Sequence, residues 1–117
     1  MDDQPIRLTL KKKTLEVLLD GDRYVLSEMN GKDRDVYVGR VSGQMRFNSE
    51  GKPQGLKSSE GLQSLLISLS LTDAAGKRVP ESTILSWPAE ALTALFAKAQ
   101  VLSGLVDETP AVPAGNV

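Results

Sequence analysis

Catalysis in this sequence would have to come from carboxylates, serines and lysines, because its 117 residues include no histidine and no cysteine. That removes disulfides, thiolate nucleophiles, Cys/His zinc sites and every triad that turns on a histidine. The carboxylates are spread through turn-like stretches: Asp20, Asp22, Asp33, Asp35 and Asp73. Asp33 and Asp35 stand two apart, whereas neighbours on a helix face stand three or four apart, so they cannot act as a pair there. Asp20-Gly21-Asp22 begins like a calcium loop, but the later ligands and the glutamate at the twelfth position are missing. A turn accounts for it. Gly51 and Gly55 are not followed by Lys-Ser/Thr in phosphate-loop register. Serine without histidine leaves only a Ser–Lys dyad as a minor alternative. The expectation is a non-catalytic protein with no cofactor and no metal.

Bulk properties narrow the partners. Hydrophobic residues make up 40% and charged residues 25%, with a formal net charge of -1. This is an ordinary soluble composition, with no global attraction to nucleic acid or anionic lipid. Lys11-Lys12-Lys13 reads as a solvated run. The five aromatics, Tyr24, Tyr37, Phe47, Trp87 and Phe96, are too scattered for a base-stacking platform. No apolar run approaches the ~20 residues that span a bilayer. The acidic, polar start, Met1 to Pro5, is unlike a signal peptide. A soluble protein of the reducing cytosol is expected, with no nucleic-acid or membrane partner.

The elements that would position these residues follow from periodicity. Ile6, Leu8 and Leu10 alternate with Arg7, Thr9 and Lys11, the pattern of a half-buried strand over 5–11. Two apolar-rich runs around Asp20-Gly21 predict a hairpin over 14–26. Asn30 can cap a helix carrying Asp33 in its first turn, with Val36, Tyr37, Val41 and Met45 on one face. Gly39 and Gly43 weaken that helix, and "VYVGRV" suits a strand equally, so the continuity of 32–46 stays open. "NSEGKPQG", Asn48 to Gly55, reads as a turn or loop. Ser58 or Ser59 can cap a helix with Leu62, Leu65, Leu66 and Leu69 at helical spacing. The chain over 77–80 reads as extended, and 81–85 as one helical turn. The last helix runs from about Pro88 to Gly104, with Pro in its first turn and Gly past its end. Ser86 or Trp87 would cap it, and the indole would anchor over Ile84-Leu85. The fold class is therefore α+β: an N-terminal antiparallel hairpin or three-stranded meander, then a three- to four-helix bundle. One domain covers 1–106, its β part about 5–28 and its helical part about 30–106. The tail, 107–117, with two prolines and little to bury, is expected to be disordered.

What remains unexplained is apolar surface. On the last helix Ala91, Leu92, Leu95, Ala99, Leu102 and Val106 fall within one core-width arc. Phe96 lies at its edge, and Val101 and Leu105 lie off it. On the preceding helix Ile67 and Leu71 fall opposite the leucine stripe. Either these helices pack on two sides, or Phe96, Val101, Leu105, Ile67 and Leu71 form a partner-binding surface.

The order of hairpin, "LSEMNGKDRDVY", "GLQSLLISLSLTDAAGKRVP" and "SWPAEALTALFAKAQVLSGL" resembles the tail assembly chaperones of long-tailed bacteriophages and prophages. The likeness covers roughly Thr14 to Leu105 and rests on capping and core residues. Met29 stands where a leucine is more usual. The resemblance implies a protein of the host cytoplasm that binds the tape measure protein and helps tail-tube subunits assemble around it. Such a protein is absent from the finished virion. Self-association and a frameshifted longer form are also implied. The alternative is a structural minor tail or connector protein retained in the virion.

Overall fold

Asp20 and Gly21 make the first turn. Both take positive φ, 52° and 83°, as the tight two-residue hairpin loop requires. They join β1 (Thr14–Leu19) to β2 (Asp22–Ser27), with Leu19 opposite Asp22 and Thr14 opposite Ser27. The third strand of this sheet is not the alternating segment expected over 5–11, which carries no strand. It is a short strand late in the chain (71–73), which lies on the far side of β2 in antiparallel pairing and sets Leu71 opposite Leu26. The reason is physical. Lys11-Lys12-Lys13 offers no residue suited to positive φ, so the N-terminal segment has no tight way back onto β1. Leu71 instead arrives beside Leu26, and both are fully buried.

The fold is α+β, and this computed structural model describes residues 4–106. After β2, Asn30 caps α1 (Gly31–Gly43), its Oδ1 accepting from the Asp33 N–H at 2.8 Å. The helix runs unbroken through "VYVGRV", so the strand alternative is set aside there. Met45 lies beyond it. The stretch expected as a loop forms a second hairpin, β3 (Met45–Phe47) and β4 (Pro53–Leu56). Asn48 holds its turn, accepting from the Glu50 and Lys52 N–H groups, both at 2.9 Å.

Helix α2 (Leu62–Ser70) starts from Gly61 at φ 77°, with no side-chain cap. Ser58 acts one turn earlier, accepting from the Glu60 N–H at 3.0 Å. The chain leaves α2 directly into β5 (Leu71–Asp73), then α3 (Glu81–Ile84) and α4 (Ala89–Leu102). Helix α2 packs against α1, α3, α4, β2 and β5, so Ser64, Ser68 and Ser70 are buried along with Leu62, Leu65, Leu66 and Ile67. The core joins sheet and helices through Leu26, Leu66, Ile67, Leu71, Ile84 and Ala99, all at 0% exposure.

Two hydrogen bonds tie distant segments together. The Met29 N–H donates to Ser103 Oγ at 3.0 Å, joining the β2–α1 junction to the end of α4. Arg78 meets the buried Asp33 carboxylate at 2.8 Å, joining the chain after β5 to the start of α1. No side chain caps α4; the Ser86 hydroxyl instead donates back to the Thr83 carbonyl at 2.6 Å. At the other end Gly104 takes φ 70°. The Leu105 N–H then reaches the Gln100 carbonyl at 2.9 Å and the Gly104 N–H reaches that of Val101 at 3.1 Å, the paired closure of a Schellman turn. Val106 lies past this turn and is 44% exposed, so it does not share the core arc of the helix. Among the described residues no helix is long and apolar enough to cross a membrane. The expected tail, 107–117, lies outside the described residues.

Candidate functional site

Five residues were singled out by their surplus apolarity, and the structure separates them. Ile67 and Leu71 are fully buried. They belong to the core and are no docking surface. Helix α2 has neighbours on opposite sides, so the face opposite its leucine stripe is needed for packing as much as the stripe itself. Leu71 is also off the helix, with the extended backbone (φ -107°, ψ 128°) that begins β5. Of the two alternatives, packing on two sides is the one that holds for this pair.

Phe96, Val101 and Leu105 are half-buried. Phe96 and Leu105 touch the core cluster. Leu105 follows Gly104 in the α4 closure, where a hydrophobic contact back onto the helix usually accompanies the turn. Its apolarity therefore has a structural cause. Phe96 differs, because one side of its ring faces an open groove of about 510 Å³. Val101 and Leu105 are not among the walls of that groove.

The groove is built by four elements. Tyr37 and Val41 come from α1, Leu62 and Gln63 from α2, Phe96 and Gln100 from α4, and Leu56 from the end of β4. The spacing within each helix follows the helical repeat: Tyr37 and Val41, and likewise Phe96 and Gln100, are four apart and share a face. The β4 wall is held against α1 by two bonds to Gln44. The Lys57 N–H donates to the Gln44 carbonyl, and the Gln44 side-chain amide donates to the Ser58 carbonyl, both at 2.6 Å. At the start of α2 the Arg40 guanidinium lies 3.5 Å from where a Cβ on Gly61 would sit.

The groove walls carry no formal charge at neutral pH. The polar groups are the side chains of Ser59, Gln63 and Gln100 and the phenol of Tyr37. Burial pushes the Tyr37 pKa above its ordinary value, so the phenol stays neutral. Among the described residues no three acidic side chains gather as metal ligands. The arrangement can receive one or two large apolar side chains and give their backbone a few neutral hydrogen-bonding partners.

A second cleft, of about 500 Å³, lies at the tip of the first hairpin. Trp87 and Tyr24 line it, with ring centroids 6.0 Å apart and an interplanar angle of 75°. The indole, expected to anchor over Ile84-Leu85, packs against the core cluster that holds Ile84 and adds this edge contact with β2, while Leu85 is 61% exposed. Asp20 and Asp22 stand at the cleft's rim.

Sequence patterns pointed to Phe96 but missed the walls around it. Leu56 was hidden in a stretch too short to show alternation. A loop of a few residues containing Gly51 and led by Asn48 is nevertheless a hairpin signal. Tyr37 and Gln100 look like ordinary helix residues until α1 and α4 are placed side by side.

Comparison with family models, with curated proteins and with solved structures finds no match for this chain.

Proposed function

We propose that this protein is a non-enzymatic assembly chaperone whose groove around Phe96 holds an apolar segment of a client chain. One observation carries the reading. The groove is open, lined by Val41, Leu56, Leu62 and Phe96 beside neutral polar groups, free of charged walls, and built on three helices and a hairpin rather than on one mobile loop. A helical client presenting large side chains at i, i+3 and i+4 fits such a groove. The sequence resemblance to tail assembly chaperones makes the client the tape measure protein, bound in the host cytoplasm before the tail tube is complete. Tail-tube subunits are further partners on this reading.

The test is co-expression with the neighbouring tape measure protein. The expected outcome is that this client becomes soluble and co-purifies with the chain. A client that stays insoluble and never co-purifies would overturn the reading. Mass spectrometry of purified particles supplies a second check, in which this chain should be missing. Its presence there at structural stoichiometry would favour a tail or connector component instead.

A further inference from the structure

Residues 6–11 form a strand pattern without a strand, and among the described strands β1 has a neighbour on one side only. Ile6, Leu8 and Leu10 are 83%, 86% and 101% exposed, alternating with Arg7, Thr9 and Lys11. The pattern suits a half-buried strand, yet the backbone from 6 to 10 joins no ladder. Thr9 Oγ1 accepts from the Lys11 N–H at 3.1 Å, a bond internal to this arm. At the opposite edge of the sheet β5 is covered: Thr72 bridges Arg78, and the Asp73 N–H donates to the Lys77 carbonyl at 2.8 Å. In the order β1-β2-β5, β1 has β2 on one side and none of the described strands on the other. An open edge of this kind is a template for another strand.

The arm does not suit its own edge. Lys13 is already fixed at the end of the β1–β2 ladder, where the Glu28 N–H donates to its carbonyl at 2.8 Å. A tight return through Lys11-Lys12 would need positive φ at Lys11 at least, a position that favours glycine. A second copy imposes no such turn. We propose that the arm of one chain adds as a strand, parallel to β1, on the open edge of a second copy of this chain.

Side-chain complementarity sets both register and direction. With Ile6 beside Leu15, Leu8 lies beside Val17 and Leu10 beside Leu19, continuing the core-facing side of β1. On the other face Arg7 lies beside Glu16, and Lys11 reaches Asp20 at the hairpin tip. Glu16 already meets Arg23 at 2.9 Å, and Arg7 joins that exposed pair. Leu15 stands opposite Leu26 on the core side yet is 40% exposed; it is the side chain that Ile6 covers. Laid antiparallel, the arm would set Lys11 near the second copy's own Lys13, so charge selects the parallel direction. Each copy offers one arm and one edge. Two copies can exchange arms and close as a dimer, or each can pass its arm on to the next, and in both arrangements assembly grows with concentration. The proposal is independent of the client reading.

Light scattering of the full chain over a range of concentrations tests it. The wild type should rise above the monomer mass with concentration. Leu8→Pro, which cannot donate to a ladder in mid-strand, should return to the monomer, with the circular dichroism spectrum and melting temperature that the wild type shows at dilutions where it is itself monomeric. The chain has no cysteine, so mixing Thr9→Cys and Leu18→Cys chains tests the register directly. Their mixed disulfide should form in clear excess over either homodimer. The proposal is overturned by a wild type that stays monomeric at all concentrations, by an unchanged mass in Leu8→Pro, or by a mixed disulfide at chance level. It is overturned equally if the arm pairs only with a different protein.

Discussion

Ser70 carries a buried hydroxyl with no hydrogen-bond partner. Its neighbours on α2 are satisfied: Ser68 Oγ donates to the Val79 carbonyl at 2.7 Å and Ser64 Oγ to the Gly61 carbonyl at 3.2 Å. A buried orphan keeps its desolvation cost with no bond in return. Ser70→Ala should therefore stabilise the protein by about 1 kcal/mol, since alanine also suits a helix better. Ser68→Ala should do the reverse, and urea unfolding of the two variants checks the pair. Tyr37 adds a pH effect. Burial raises its folded pKa, so its contribution is complete below the unfolded value of about 10. It is lost as pH climbs through the folded pKa, because the unfolded chain ionises first. Tyr37→Phe should flatten that alkaline loss of stability, read as melting temperature against pH. At this scale the sequence showed which residues were in surplus but not why. Ile67, Leu105 and Phe96 look alike on a helical wheel, and only placement separates core, turn closure and groove wall.

Helix starts show most clearly how local signals fare. Asn30 followed by Asp33 was legible as a cap because both partners lie within one turn. The bond between the Asn30 side chain and the Asp33 N–H needs nothing from the rest of the chain. Ser58 looked equally good for α2, yet the helix begins three residues after Ser59, from the positive-φ Gly61. Asn30→Ala should cost about 1 kcal/mol, whereas exposed Ser58→Ala should stay within about 0.5 kcal/mol. Paired denaturant midpoints decide it, and equal losses would mean that Ser58 supports α2 after all. The strands divide in the same way. The first hairpin announces itself through Asp-Gly. The strand β5 has three residues and depends on Leu26 being beside it, which no local pattern encodes. The arm over 6–11 has the better strand pattern, but no turn brings it home.

The whole molecule is organised around α2, which meets three other helices and one sheet. Buried on most sides, it fixes the distances between α1 and α4 and so the width of the groove beside Phe96. Core and groove are therefore adjacent but separable by substitution. Ile67→Asp places a charge at a fully buried position and should unfold the protein, taking client binding with it. Phe96→Asp should weaken both, because its ring serves core and groove together. The clean separation lies at Gln63 and Gln100, half-buried walls where glutamate is nearly isosteric. Gln63→Glu and Gln100→Glu keep the shape and add charge where an apolar client must shed water. Each should lower client affinity by about tenfold, equivalent to about 1.4 kcal/mol, while the melting temperature holds. Co-purified client measured beside the melting curve reads both quantities in one preparation. Undiminished client in the double variant, with the fold intact, would show that the binding surface lies elsewhere, with the acidic-rimmed cleft beside Trp87 next to be probed.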